Sequence, residues 1–290
     1  MNIITDQKKY SGKWFSPNDI ELIKQTISNN PEASRALLSR RVCQELNWKK
    51  IDGHLKEMSC RVAMLAMERD NLIRLPEPLY KKQPCKHFKK RTFQGEPDQP
   101  INCRITELTD LQFKIVDHHT SALWNELIDR YHYLGYKPLS GAQLRYFIYS
   151  NDQPVALLSF GASAWTTAPR DQFIGWQKSQ RESQLHRVIN NARFLILPWI
   201  KVPHLASKLL SMVAKRVPID WLERYHYKPV LLETFVEVER FKGICYKAAN
   251  WQCLGTTTGR GKKGASHANI GIKSVWVYPL TRHFKKTLCQ

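Results

Sequence analysis

The first 75 residues carry apolar side chains at helical spacing in three successive runs. Ser16 and Pro17 supply an N-cap and a first helical position, and Asp19 adds an acid at the third, so a helix is predicted to begin here. The apolar faces of the three predicted helices are formed, in chain order, by Ile20, Ile23 and Ile27, by Leu38, Val42 and Leu46, and by Leu55, Met58, Val62 and Leu65.

An extended stretch, residues 71 to 76, follows the third run. Three short helices that end in an extended segment are typical of a winged helix-turn-helix, and we expect such a DNA-binding domain at residues 1–75. The same three helices would also suit a packing or dimerisation module, because this fold serves protein interaction as well.

The pattern changes at residue 76. Residues 76–100 contain five prolines and six Lys or Arg side chains, which disfavour a helix or a central strand and predict a basic linker. This linker is either a solvated tether or an arm that follows backbone phosphates.

The remaining segment, residues 101–290, alternates between strand and helix patterns. An antiparallel meander followed by strand, helix, strand, helix and strand is the order of the GCN5-related (GNAT) acyltransferase fold, so the fold class we expect for the whole chain is α+β, with a mixed sheet and flanking helices in this segment. The predicted elements are strand 101–105, helix 120–131, hairpin 143–150 and 154–162, strand 192–198, helix 205–217, strand 230–237, helix 241–250, strand 251–256 and strand 273–278.

Charge narrows the choice of partner. The 290 residues contain 45 Lys and Arg against 25 Asp and Glu, a formal net charge of +20. Residues 240 to 290 alone contain ten basic and no acidic side chains. Such an excess is typical of a protein that binds a polyanion, and double-stranded DNA is the partner we expect. No apolar run approaches the ~18 residues of a membrane span and the N-terminus is polar, which predicts a cytoplasmic protein without a membrane partner.

A winged helix-turn-helix places its third helix in the major groove, where the first turns meet base edges and nearby cations hold phosphates. The residues predicted to face the bases or the groove are His54, Lys56 and Arg61. The residues predicted to contact phosphates are Arg40, Arg41, Lys49, Lys50 and Arg74.

Two stretches of the last segment are further candidates for DNA contact. Residues 163 to 183 separate two predicted strands and contain Arg170 near Trp165 and Trp176, which would suit stacking on an unpaired base, although the tryptophans would equally pin the loop to the sheet. A glycine-rich cationic loop near residue 260 is predicted to reach a backbone phosphate through Arg260, Lys262 and Lys263.

Several blocks of the chain resemble a known family. The blocks are residues 55–61 (LKEMSCR), 131–135 (YHYLG), 168–176 (APRDQFIGW), 191–199 (NARFLILPW), 203–207 (PHLAS), 232–236 (LETFV) and 246–251 (YKAANW). They are similar to the family that contains the DruA protein of the Druantia anti-phage system, which also forms N-terminal parts of transposase-like proteins. The resemblance spans about residues 16 to 280, and it implies a role in defence or transposition, with other subunits of such systems as further partners.

A shorter similarity implies a candidate catalytic set. The chain resembles the Mom family of phage proteins, which modify adenine in DNA, in a His-Tyr pair before the hairpin, an acid on a late strand and a Tyr-x-Ala-x-Asn-Trp-like turn followed by Gly255. It lacks the His-rich stretch after the acidic strand, which speaks against a metal-dependent reaction. The residues that this resemblance implies as catalytic are His132, Tyr133, Glu233, Tyr246 and Asn250.

His132 and Glu233 are the kinds of group that exchange a proton with an exocyclic amine, provided that burial moves their pKa values toward neutrality. Tyr246 and Asn250 would orient the substrate. The structural alternative is that Glu233 and Glu237 are rim acids paired with Arg193 or Arg240, and that residues 246 to 251 form a packed helix end.

Acyltransferases of this fold bind the pyrophosphate of their cofactor on a glycine-rich turn at the start of a helix. The corresponding turn, residues 201–207, has no glycine, and Pro203 lacks the backbone N–H that could bind a phosphate. This argues against acetyl-CoA as the cofactor and leaves the cofactor unknown. The candidate cofactor contacts are Lys201, His204 and Ser207. No metal site is predicted, because Cys85 and His87 are the only closely spaced ligand pair. Two hypotheses therefore stay open: a DNA-modifying transferase, and a non-catalytic DNA-recognition subunit or transposition accessory protein with a degenerate transferase fold.

Overall fold

The computed structural model describes residues 7–79, 91–259 and 271–290. They divide into two compact units, Met1–His87 and Phe88–Gln290. The boundary falls inside the segment predicted as a linker.

The first unit begins with a two-stranded hairpin and continues with three helices. Ser16 and Asp19 form a reciprocal capping box at the start of the first helix, as expected, with the Ser16 hydroxyl accepting from the Asp19 amide at 3.1 Å. The elements are β1 (Lys8–Tyr10), β2 (Lys13–Phe15), α1 (Pro17–Ser28), α2 (Arg35–Glu45) and α3 (Glu57–Arg69).

The prediction of which residues form the buried face of α3 is wrong. Met58 is 64% exposed and Val62 55%, so both point to solvent. The buried face of α3 is formed instead by Cys60, Ala63, Met64 and Met67. Small and sulfur-bearing side chains thus fill this core, whereas the sequence pattern had favoured the face that contains Met58 and Val62.

The loop between α2 and α3 is longer than a simple helix-turn-helix turn. The amide of Lys50 donates to the His54 carbonyl at 2.7 Å, and Lys49 pairs with Leu55, so a tight hairpin projects between the two helices. After α3, residues 71–79 contain no strand, and the one ladder among residues 7–79 precedes α1. The winged helix-turn-helix assignment therefore stays a prediction.

The second unit is built on a seven-stranded mixed sheet with the order β10-β11-β9-β7-β6-β5-β4. Its strands are antiparallel except that β7 and β9 run parallel, joined by the long helix α7. The order of elements along the chain, an antiparallel meander followed by alternating helices and strands, agrees with the expected GNAT-like sheet. The elements are β3 (Ile101–Asn102), β4 (Leu111–Ile115), α4 (Ser121–Tyr131), β5 (Gln143–Ser150), β6 (Gln153–Ala162), α5 (Ala168–Ile174), α6 (Lys178–Gln184), β7 (Val188–Ile196), β8 (Ile200–Lys201), α7 (Leu205–Tyr225), β9 (Leu231–Glu237), α8 (Ile244–Ala248), β10 (Gln252–Thr256), β11 (Lys273–Pro279) and α9 (Phe284–Leu288).

The two faces of the sheet have separate cores. Leu232 and Trp276 belong to the larger cluster, which α4 and α7 complete. Leu231 and Val277 belong to a smaller cluster with side chains of α5 and α9. Because successive strand residues point to opposite faces, each side chain of β9 can be assigned to one face from its number alone.

Several elements of this unit differ from the prediction. Residues 163–183, expected as a loop, contain α5 and the start of α6. The helix α7 continues past Pro218 to Tyr225, because Trp221 is fully buried and the Tyr225 hydroxyl bonds both the amide and the carbonyl of Gln143 at 2.8 Å. These contacts outweigh the helix-breaking cost of proline. The strand expected at residues 101–105 is shortened to β3, and β4 was not predicted.

Residues 92 to 96, predicted as part of the linker, are bonded to α4 of the second unit. The Thr92 amide and hydroxyl donate to the Glu126 carboxylate at 2.7 and 2.8 Å, and Tyr131 donates to the Gly95 carbonyl. Arg130 adds an ion pair to Glu96 at 2.6 Å. Within the described ranges, no helix combines the length and apolar content that a bilayer crossing requires.

Candidate functional site

The main cavity of the second unit lies where β7 and β9 diverge. The two strands pair only from Val188 opposite Leu231 to Asn190 opposite Glu233, although β7 continues to Ile196 and β9 to Glu237. Beyond Asn190 the edge of β7 that faces β9 has no strand partner among the described residues. This divergence opens a cavity of about 730 Å³, in the range of small-molecule sites.

The floor of the cavity is a satisfied polar network. The Tyr246 hydroxyl donates to Asn191 Oδ1 at 2.8 Å, and the Thr234 hydroxyl donates to the Asn191 carbonyl at 3.0 Å. Asn191 Nδ2 donates to the Ser159 carbonyl at 3.1 Å, beside the irregularity in the β6–β7 pairing. Burial raises the pKa of Tyr246, so its hydroxyl stays protonated and acts as a donor.

His132 lies at the end of α4 and lines the same cavity. Burial, helped by the positive charge of Arg193, lowers the pKa of His132 to about 4, so the ring is neutral at physiological pH. The Leu134 amide donates to Nδ1 at 3.2 Å, which leaves the proton on Nε2. His132 can therefore donate a hydrogen bond, and it stacks on Tyr133 with ring centres 4.9 Å apart.

The mouth of the cavity is aromatic and cationic. The Tyr133 ring meets Phe241 edge-on at 5.3 Å, and the Arg240 guanidinium lies 5.4 Å from the Tyr133 ring centre. Lys242 lines the same side, and none of the described lining residues is a carboxylate. Gly243 closes the wall beside Trp276: its φ is +68°, and an added Cβ would come within 2.6 Å of the tryptophan ring.

Glu233 does not lie in this cavity, which contradicts its predicted pairing with His132. Thr234 and Val236 of β9 line the cavity, and alternation turns Glu233 to the opposite face of the sheet. There it is fully buried, with Oε2 at 2.9 Å from Arg170 Nη1 and Oε1 accepting from the Ser163 hydroxyl at 2.7 Å. Glu237 is the rim acid that the alternative predicted, 3.6 Å from Arg240.

Two more predicted site residues, Arg170 and Asn250, do not line the cavity either. Arg170 is completely buried, bonded to Glu233 and to Asp171, so it is not available to contact DNA in this structure. Asn250 is exposed and has a φ of +63°. Its backbone amide donates to the Lys247 carbonyl, and the residue does not line the cavity. The turn after α8 thus needs a residue that tolerates the left-handed conformation, which asparagine does.

The candidate cofactor residues also lie apart from the cavity lining. Lys201 and His204 are exposed, and the Ser207 hydroxyl is already bonded to the His204 carbonyl at 3.0 Å. Pro203 has no N–H to offer at the start of α7, and no glycine opens the backbone there. These residues do not fit the pyrophosphate cradle of an acyl-CoA.

The predicted DNA contacts of the first unit are mostly accessible. Arg40, Lys49, Lys50, His54 and Arg74 are exposed, and Arg41, Lys56 and Arg61 are half-buried. Arg40 is paired with Glu57 at 3.0 Å, and His54 lies 3.4 Å from Asp52. Lys49 and Lys50 form no ion pair with a described residue and lie on the hairpin between α2 and α3.

Some predicted positions lie outside the described residues: Arg260, Lys262 and Lys263, and the Cys85–His87 pair. Across residues 7–79, 91–259 and 271–290, no cluster of three potential metal ligands occurs.

The structure adds cavity residues that the sequence did not single out as site residues. These are Asn191, Arg240, Phe241 and Lys242. Arg240 was expected only as the ion-pair partner of a rim acid, and Asn191 opens the block NARFLILPW used in the resemblance. Residues 240 to 242 follow β9, ahead of α8, and only the divergence of the strands brings them to His132.

Comparison with known proteins establishes the family. A sequence model described as Druantia protein DruA matches residues 66–273. The chain therefore belongs to the DruA family, the family of the Druantia defence protein DruA. No curated protein matches the chain.

Solved structures of acetyltransferases are similar to this chain at low identity. The ribosomal-protein-S18-alanine N-acetyltransferase from Escherichia coli is 8% identical, with a TM-score of 0.38 over 59% of this chain and 95% of its own. The spermidine/spermine N-acetyltransferase SpeG from Vibrio cholerae is 10% identical, with a TM-score of 0.37 over 61% and 96%. The aminoglycoside acetyltransferase AAC(6')-Ib is 13% identical, with a TM-score of 0.38 over 61% and 99%.

Proposed function

We propose that this chain is a DNA-binding protein of an anti-phage defence system or a mobile element, that it admits a nucleotide of the bound DNA into the cavity between β7 and β9, and that it modifies the base there. Family membership supports the defence role. The net charge of +20 supports a polyanionic partner.

Duplex binding is assigned to the first unit by its exposed cations. Residues 1 to 87 contain 16 basic and 10 acidic side chains. Lys49, Lys50 and Arg74 are exposed and have no carboxylate partner among the described residues, so their charges are available to phosphates.

The single observation that carries the nucleotide site is the composition of the cavity mouth. A nucleotide combines a planar base with an anionic phosphate. Tyr133 and Phe241 offer aromatic surface for the base, and Lys242 offers charge for the phosphate. Arg240 adds a second cation that Glu237, outside the lining, pairs with at 3.6 Å, and no described lining residue is acidic. Enzymes that act on a base in duplex DNA must first extrude it into such a pocket.

For base modification, His132 is the group with suitable chemistry. Its neutral ring, with Nε2 protonated, can hold an exocyclic oxygen or a ring nitrogen of the base by hydrogen bonding. Glu233 has no part in this proposal, because its carboxylate is committed to Arg170 on the other face.

A second candidate, recognition without chemistry, is favoured by a specific observation. The cavity has no described carboxylate, and the Tyr246 hydroxyl is already bonded to Asn191. A site with these groups can bind a nucleotide without a strong general base. The two candidates share DNA binding and differ in the product.

The test combines binding with product analysis. A duplex with one 2-aminopurine should gain fluorescence as the base leaves the stack, and Phe241→Ala should reduce this gain without loss of total binding. Lys242→Ala should weaken nucleotide capture, whereas Lys247→Ala, an exposed lysine of α8 outside the cavity, should not.

Nucleosides from DNA recovered with the protein are then analysed by mass spectrometry. A mass-shifted nucleoside that disappears with His132→Ala supports modification. Binding and unstacking without a new nucleoside support the recognition subunit. Absence of DNA binding at low salt would refute both candidates.

A further inference from the structure

The outer surface of α3 carries an apolar stripe. Met58 and Val62 are 64% and 55% exposed, and Leu65 is half-buried. Spacings of four and three residues place these three side chains on one line along the helix. The buried residues Ala63 and Met67 lie on the opposite side, so Met58 and Val62 point away from the core, whereas Leu65 at the end of the stripe packs against it.

Cations without acidic partners flank this stripe. Both carboxylates of α3 are already paired, Glu57 with Arg40 at 3.0 Å and Glu68 with Arg35 at 3.8 Å. Arg61 and Arg69 form no ion pair with any described residue, and Lys56, at the helix start, forms none either. The surface of α3 is thus apolar along its centre, with Lys56 and Arg69 at its two ends and Arg61 beside it.

This combination fits the major groove of duplex DNA. An α-helix enters that groove, and thymine exposes its C5-methyl group there, where apolar side chains contact it. Phosphates on both sides of the groove attract flanking cations. A second copy of the chain is a poorer occupant, because two such surfaces would bring their cations together.

We propose that α3 reads thymine in the major groove through contact of Met58 and Val62 with C5-methyl groups, while Lys56, Arg61 and Arg69 hold the phosphates. This inference rests on the proposed DNA binding and deepens it by naming the base feature that is recognised. Sequence preference then comes from apolar contact, and the cations supply affinity that is independent of sequence.

The experiment removes only the methyl group. The full chain is first used to select preferred duplexes from a random library, and sites rich in thymine are expected. Each thymine is then replaced by deoxyuridine. Burial of one methyl group accounts for about a fourfold change in affinity, so a site with two contacted thymines should bind roughly fifteenfold more weakly after replacement.

Variants assign the effect to α3. Met58→Ala and Val62→Ala should each reduce the discrimination between thymine and uracil and leave binding to random duplex unchanged. Ile219→Ala, an exposed apolar residue of α7 that is 62% exposed, serves as the matched control and should retain full discrimination.

The outcomes separate this inference from the proposed function. Binding to duplex DNA with equal affinity for thymine and uracil sites overturns the inference and leaves DNA binding intact. A change of oligomeric state in Met58→Ala or Val62→Ala, with discrimination unaltered, also overturns it and assigns the stripe to a protein contact. No duplex binding at low salt removes the proposed function itself, and the inference with it.

Discussion

Arg170 and Glu233 form an ion pair in which neither side chain has any solvent exposure, with Nη1 and Oε2 2.9 Å apart. Asp171 accepts from the same guanidinium at 2.8 Å, and the indole N–H of Trp176 donates to Asp171 at 3.0 Å. The network fixes α5 and the turn after β6 against the inner strand β9. Arg170 and Glu233, which were expected to act on DNA, therefore stabilise the fold.

Arg170→Met should destabilise the protein by about 3–5 kcal/mol, because it leaves the Glu233 carboxylate buried without its partner. The free energy of unfolding, measured by urea denaturation, checks this value. Glu233→Gln should cost less, since the amide still accepts from Ser163. The double variant Arg170→Met/Glu233→Leu should recover part of the loss, and additive costs would contradict a coupled pair.

Tyr246→Phe should destabilise the second unit by about 1–3 kcal/mol. The change removes the hydroxyl that donates to Asn191 Oδ1 and leaves a buried acceptor without a partner. Tyr278→Phe is the control, because the Tyr278 hydroxyl forms no hydrogen bond with a described residue although its ring packs on Trp251. Equal unfolding free energies for both variants would show that the hydrogen bond between Tyr246 and Asn191 contributes nothing to stability.

The sequence predicted the elements whose signals are local. The capping box at Ser16 defined the start of α1, and the pattern around residues 151–153 defined the hairpin of β5 and β6 to within one residue. The face of α3 could not be predicted in the same way, because periodicity alone does not say whether Met58 or Met64 faces the core. That choice depends on contacts with α2 and the N-terminal hairpin.

The candidate site was predicted in part. His132, Tyr133 and Tyr246 do line one cavity, whereas Glu233 and Asn250 do not. The error for Glu233 has a definite cause: its partner Arg170 is 63 residues away, and which face of β9 it occupies depends on the register with β7. The divergence of β7 from β9 is likewise a tertiary feature without a local signal.

Acidification should destabilise the protein between pH 6.5 and 4 through two histidines. Burial lowers the pKa of His132 to about 4, and burial together with Arg187 lowers the pKa of His186 to about 4. The unfolded chain, with an ordinary histidine pKa near 6.5, binds protons that the folded chain does not, so stability is complete above pH 6.5 and falls as the pH drops.

Urea midpoints at pH 7 and pH 5 test this expectation. Carboxylates such as Glu126, whose pKa is lowered, lose their contribution only below their ordinary values near 4.5, so this interval isolates the histidines. His132→Gln and His186→Gln should each reduce the difference between the two midpoints. A midpoint that rises on acidification would mean that the folded histidines bind protons more tightly than the unfolded ones.

The salt dependence of DNA binding should identify the hairpin between α2 and α3 as a phosphate contact. Each neutralised phosphate adds about 0.9 to the slope of log affinity against log salt concentration. Replacement of both Lys49 and Lys50 by Gln should therefore reduce the slope by about two and weaken binding to all sequences alike, because these side chains carry charge and no ion pair with a described residue. Lys24→Gln is the matched control, since Lys24 is already paired with Glu21 at 3.5 Å on α1. An unchanged slope in the double variant would mean that the hairpin does not contact phosphates. An equal decrease of the slope in Lys24→Gln would mean that the hairpin lysines contribute only through the net charge of the protein.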